Sequence, residues 1–200
     1  GEDIAIWLPE GSTIMLTAGT RNVINSNTDA IRCNGNLTIT GSGTLLIDSG
    51  SSGAPSDPSE LNVQGKNIGA AIFSGANLRI HDAGVINCAA SGRYGILGVG
   101  DVTIENCADV TGISTAIGLA AGNSISITGS DVTAFGNYFG ICTGPYVARM
   151  VYNGLESMSK SDAQVSVDKV SPIDLPQGGD ITITGSTVDA SCRPNSSSGT

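Results

Sequence analysis

Polar and apolar residues alternate in short bursts along the whole chain. Leu37-Thr38-Ile39, Leu78-Arg79-Ile80, Val102-Thr103-Ile104, Ile125-Ser126-Ile127 and Ile181-Thr182-Ile183 each set two aliphatic side chains on one face and a polar one on the other. That is the period of a half-buried β-strand. A small residue followed by Ile precedes each burst: Ala30-Ile31, Ala71-Ile72, Gly95-Ile96, Ala116-Ile117 and Gly140-Ile141. An early copy has Leu8 in the Ile place and Ile14-Met15-Leu16 as its strand. After a tight turn a second alternating strand follows. Its inward positions are Leu45/Ile47, Ile86/Cys88, Val110, Val132/Ala134 and Val188/Ala190.

The strand starts Ile14, Leu37, Leu78, Val102, Ile125 and Ile181 are 23, 41, 24, 23 and 56 residues apart. The two long intervals equal one repeat plus an insertion. The first insertion, residues 49–66, is a loop rich in Ser, Gly, Pro and acids; the second spans 145–178. A three-strand unit of this length cannot bury its apolar face alone and must stack on its neighbours. The pattern predicts an all-β chain: a right-handed, single-stranded parallel β-helix of about six coils, forming one domain over residues 1–200 with a short α-helical insertion. In the second insertion, Val147, Met150, Val151, Leu155 and Met158 predict an amphipathic helix over 146–159, then an extended segment. Its apolar stripe would pack on the solenoid flank, or wall a ligand groove.

Composition narrows the setting. Gly is 28 of 200 residues and charged residues only 14%, which disfavours helices and supplies coil corners. The net charge is −9, and the Lys and Arg residues are scattered singly, so no patch suits nucleic acid. No apolar run is long enough to span a membrane. Cys33, Cys88, Cys107, Cys142 and Cys192 show no metal-ligand spacing. Small reduced core residues are expected of them, with a partial disulfide as the alternative. No signal peptide precedes Gly1, so an exported chain would have lost its leader. The tail after Arg193 breaks off soon after a strand; a cut solenoid would expose strand edges and favour end-to-end self-association.

Three sets of residues carry candidate chemistry. Asp109 and Asp131 precede the inward Val110 and Val132 of successive coils and would stack one rung apart. With Glu105 they form a candidate calcium site, calcium being the candidate cofactor; the simpler reading is solvated surface acids. Tyr94, Tyr138 and Phe139 occupy corresponding turns and form a candidate sugar-stacking edge, with partial burial at a corner as the alternative. Asn36, Asn77 and Asn123, with Asp101 and Asp180, recur at the turn into the first strand, where stacked side chains satisfy turn amides.

The stretch GSTIMLTAGTRNVINSNTDAIRCNGNLTITGSGTLLI (11–47) contains L-x-x-G-T-x-N-x-I followed by L-T-I-T-G-S-G-T-L, and DVTIENCADVTG, SISITGSDVTAFG and DITITGSTVDAS look like later rungs. Outside the insertions, this resembles the extracellular carbohydrate-binding β-helix proteins of clostridia and gut Firmicutes, of the pectin-lyase-like superfold. The resemblance implies a secreted or cell-surface bacterial module that binds plant polysaccharide, particularly acidic pectin-like chains, with calcium sites along the helix. The helical insertion departs from that pattern, and few Asp clusters match it. Because the same superfold carries pectate lyases and polygalacturonases, an enzyme is one alternative. Asn27-Thr28-Asp29 matches part of a polygalacturonase motif but lacks its companion motifs, and reads as a turn. Arg79, Arg93 and His81 are basic candidates by position only, and no catalytic residue is assigned. The other alternative is a structural adhesin or stalk repeat.

Overall fold

The computed structural model describes residues 4–27, 29–50, 69–144, 147 and 179–192. Both predicted insertions fall almost wholly outside these residues, and so does the predicted helix except for Val147. What is described is mostly β-structure, in two all-parallel sheets.

The first sheet collects one short strand from each repeat: β1 (Ile6–Leu8), β4 (Ile31–Cys33), β6 (Ala70–Ser74), β8 (Tyr94–Gly98), β11 (Ile117–Ala121) and β14 (Phe139–Thr143), in that order. The second sheet carries the other two strands of each repeat. Its first row is β2 (Ser12–Met15), the start of β5 (Leu37–Ser49), the start of β7 (Leu78–Ala90), β9 (Val102–Glu105), β12 (Ile125–Thr128) and β15 (Ile181–Thr184). Its second row is β3 (Arg21–Ser26), the ends of β5 and β7, β10 (Asp109–Ser114), β13 (Asp131–Gly136) and β16 (Thr187–Cys192). In β5 and β7 the two rows are one continuous 13-residue strand that bends at the corner. In later repeats the corner interrupts the strand.

Pairing always joins a strand to its counterpart one repeat away, so equivalent residues stack in columns. Ile39, Ile80, Ile104 and Ile127 form one such column and are fully buried. Leu45, Ile86, Val110 and Val132 form another. Burying one aliphatic side chain is worth about 1.5–3 kcal/mol, so these columns dominate stability. The inward positions expected for the second strand are all reproduced by the register, from Leu45/Ile47 to Val188/Ala190.

The register corrects the sequence alignment in three places, each by two residues. Ser12, not Ile14, lies opposite Leu37; Ile6, not Leu8, lies opposite Ile31; and Leu119, not Ile117, lies opposite Ile96. A slip of two keeps every side chain on its face, so alternation alone does not detect it.

The residue before the Ile/Leu column of the first sheet is therefore Ala30, Ala71, Gly95, Gly118 and Gly140. At Gly95, Gly118 and Gly140 the second sheet's backbone passes too close for a side chain. A Cβ on Gly95 would meet Ile113 N and Gly112 C; on Gly118 it would run into Phe135 N and Gly112 O.

Not every outward position is hydroxylic, as the sequence pattern suggests. In the first sheet, β6, β8 and β11 are buried along their whole length. Phe73, Leu97 and Ala120, stacked on the face opposite Ile72, Ile96 and Leu119, join Tyr94, Ile117 and Val147 in a second apolar cluster. Arg32 stacks in the same column between the rings of Trp7 and Phe73, its guanidinium 5.8 and 5.1 Å from their centroids.

Cys33, Cys88 and Cys107 are buried, Cys142 is half-buried and Cys192 exposed, and all five are free thiols. Burial pushes the Cys88 thiol well above its ordinary value. Ellman's reagent is expected to label Cys192 first on the native protein and to leave Cys88 unmodified until denaturant is added; rapid native labelling of Cys88 would contradict this core. Gly118→Ala is expected to lower stability by about 1–3 kcal/mol in urea titration, since the obstructing atoms are backbone and cannot rotate away. An unchanged midpoint would show that the two sheets are not pressed together there.

Candidate functional site

The outward face of the second sheet's first row carries two columns. One is Thr13, Thr38, Arg79, Thr103, Ser126 and Thr182; the other is Met15, Thr40, His81, Glu105, Thr128 and Thr184. Hydroxyl side chains fill most places. In the middle, β7 and β9 replace them with Arg79, His81 and Glu105. Arg79 donates from Nη2 and Nε to Glu105 Oε2 at 2.8 and 3.2 Å. The side chains are 55% and 35% exposed, so the pair contributes about 0–1 kcal/mol to stability. Its polar groups stay at the surface rather than serving the core.

At the end of these strands the chain turns through a left-handed residue in four successive repeats: Asp82, Asn106, Gly129 and Gly185, with φ between 49° and 57°. Glycine meets that requirement without a side chain. Asp and Asn are the residues other than glycine that tolerate it best, and they are the only non-glycine residues with positive φ among those described. They add functional groups where the other two corners are bare. His81 Nδ1 lies 2.8 Å from Asp82 Oδ2, and Asn106 Nδ2 donates to Asp82 Oδ1 at 3.3 Å. The hydrogen bond with His81, then that from Asn106, holds the Asp82 carboxyl below the usual aspartate value of 3.8. The result is a surface cluster of Arg79, His81, Asp82, Glu105 and Asn106, spanning two adjacent repeats.

The other predicted residues fall as follows. Glu105 is engaged with Arg79 on β9, across the corner from Asp109, so it does not join Asp109 and Asp131 as expected. Asp109 Oδ1 instead accepts from the Thr111 hydroxyl at 3.1 Å. Asp109 and Asp131 do begin adjacent paired strands. Two carboxylates alone fall short of the about six to eight oxygens that calcium takes. Among the described residues no three His, Cys, Asp or Glu side chains converge as a metal site. Tyr94 does not belong to an exposed aromatic edge: it is 1% exposed in the second apolar cluster, because the outer face of its sheet is covered. Tyr138 and Phe139 are exposed, and Phe139 stacks two repeats from Tyr94 through Ile117. Arg93 contributes backbone, its carbonyl accepting from Ser114 Oγ. Asp29 is buried; it pairs with Arg32 at 3.2 Å and accepts from Ala70 N of the next repeat at 2.7 Å.

The repeated Asn positions act as the sequence suggests, with one change. Asn36 Oδ1 accepts from Asn77 N (3.1 Å), Asn77 Oδ1 from Asp101 N (2.9 Å), Asp101 Oδ1 from Ser124 N (3.1 Å) and Ser124 Oγ from Asp180 N (3.4 Å). Ser124, not Asn123, is thus the member in that repeat, while Asn123 donates its side-chain amide to Asp101.

Sequence reasoning found Arg79, His81 and Glu105 as scattered candidates and did not single out Asp82 or Asn106. Their signal was the corner glycines Gly129 and Gly185, whose places Asp82 and Asn106 take. Among the described residues no helix is long and apolar enough to cross a membrane. No family model, curated protein or solved structure matches the chain.

Ionised Asp82 is favoured in the folded protein, so its contribution to stability is complete above pH 3.8 and is lost as pH falls below it. Asp82→Asn keeps a residue suited to positive φ and removes the charge. The melting-temperature gap between wild type and Asp82→Asn is expected to close as pH falls through that range. A gap independent of pH would show that Asp82 is not held by its neighbours.

Proposed function

We propose that the chain is a right-handed parallel β-helix of about six coils that serves as a noncatalytic extracellular or cell-surface module binding polysaccharide. The stacked, all-parallel pairing between successive repeats supports the architecture. One observation carries the function: the Arg79, His81, Asp82, Glu105 and Asn106 cluster set within two columns of hydroxyls on a regular parallel face. The rows repeat about every 4.8 Å, and an extended glycan lying along the columns would meet donors and acceptors at each step. Arg79 gives the only guanidinium in these columns; it is paired with Glu105, and the carboxylate of an acidic sugar such as a pectin-like uronate would compete for the same donors. With a net charge of −9, the protein would repel such chains elsewhere; calcium bridging glycan carboxylates to Asp109 and Asp131 is the companion proposal. The resemblance to carbohydrate-binding β-helix proteins points the same way.

A glycan array followed by calorimetry, with calcium and with chelator, tests the reading. A polysaccharide ligand is expected, with affinity reduced about tenfold or more in Arg79→Ala/His81→Ala, that is about 1.4 kcal/mol or more. Absence of any glycan hit would favour a structural stalk or adhesin repeat. Release of unsaturated or reducing ends from polygalacturonate would make the protein an enzyme instead.

A further inference from the structure

We propose that Asn34-Gly35, at the corner between β4 and β5, is a site of spontaneous covalent modification: the asparagine side chain closes on the next backbone nitrogen, and aspartate or isoaspartate takes the place of the amide. Three observations meet there. Asn34 is the only asparagine followed by glycine among the described residues; the other such pair, Asn153-Gly154, lies outside them. Asn34 is exposed, and its side chain makes no hydrogen bond among the described residues. By contrast, Asn36, Asn77, Asn106 and Asn123 are each held through their side chains by a neighbouring repeat.

The third observation concerns the attacking nitrogen. In the next three repeats the amide at this place is tied to the repeat before it. Ala76 N donates to Gly35 O at 3.3 Å, Gly100 N to Ala76 O at 2.9 Å and Asn123 N to Gly100 O at 3.0 Å. Gly35 N makes no such bond among the described residues. An amide in the ladder must break its hydrogen bond before its nitrogen can turn toward a side chain; Gly35 N has none to break. Glycine also lets the backbone adopt the closing geometry with no Cβ in the way.

The chemistry needs only water. Gly35 N gives up its proton and bonds to Asn34 Cγ, the Cγ–Nδ2 bond breaks, and Nδ2 leaves with that proton as ammonia. Water then opens the five-membered imide. Attack at Cγ breaks the new Cγ–N bond and gives aspartate. Attack at the Asn34 backbone carbonyl carbon breaks the original peptide bond, so that the chain runs through Cγ as isoaspartate. Either product adds a negative charge to a chain already at −9. Isoaspartate also lengthens the backbone just before Gly35, whose carbonyl accepts from Ser74 Oγ at 2.7 Å and from Ala76 N, two bonds that tie the third repeat to the second.

Peptide mapping by mass spectrometry after incubation of the folded 200-residue chain in mildly alkaline buffer tests this, with no glycan present and so independently of sugar binding. Asn34 is expected to convert with time to a mixture of aspartate and isoaspartate, while Asn36, Asn77, Asn106 and Asn123 keep their amides. Gly35→Ala is expected to slow the conversion about tenfold or more. Asn34→Gln, an exposed substitution that keeps an amide but would need a six-membered ring, is expected to stay intact over the same time. An Asn34 that keeps its amide in the folded chain yet loses it when the chain is unfolded in urea overturns the proposal, because the fold then protects the site. So does an Asn34 that keeps its amide in both states, or conversion of the four engaged asparagines as fast as Asn34.

Discussion

Among the described residues each strand pairs only with the equivalent strand of the repeat before or after it. This one constraint imposes columns of like residues, and the rest of the structure follows. An inward column takes apolar residues, or short polar ones whose hydroxyl finds a carbonyl, as Ser74 and Ser114 do. The step from Ile47 through Cys88 to Gly112 shows how narrowly the interior is set. At Gly112 the Gly118 carbonyl leaves no room for a Cβ, and at Gly118 the backbone of Phe135 and Gly112 does the same.

The same constraint explains how the corners are held. A turn amide at one level finds its acceptor on the side chain one level away, as along Asn36, Asn77, Asp101 and Ser124. Cys33 and Ser74 occupy one column and make equivalent contacts, each to a carbonyl of the preceding repeat and to one three residues ahead. The thiol stands in for a hydroxyl there, which accounts for a buried cysteine with no chemical partner of its own kind. Outward columns carry no such demands. Thr and Ser can therefore give way to Arg79, His81 and Glu105 with little effect on the core, and the candidate site sits on the face the fold constrains least.

The proposed function draws on this arrangement. A regular outer face offers an extended ligand the same groups again and again.

Much of the architecture was legible in the chain itself. Alternation placed Leu45, Ile86, Val110 and Val132 inward, and the spacing of about 23 residues announced stacking. Local pattern stops at register. Ser12, Ile6 and Leu119 each lie two residues from where alternation put them, because a two-residue slip leaves every face unchanged and only pairing across repeats distinguishes the alternatives. The covered outer face at Phe73 and Leu97, the burial of Tyr94 and the separation of Glu105 from Asp109 were likewise decided in three dimensions. So was the meeting of Asp82 with His81 and Asn106. Sequence alone determined which face each residue takes, since that depends on the strand's own period of two. Tertiary structure decided which residues meet, since that depends on contacts made more than twenty positions along the chain.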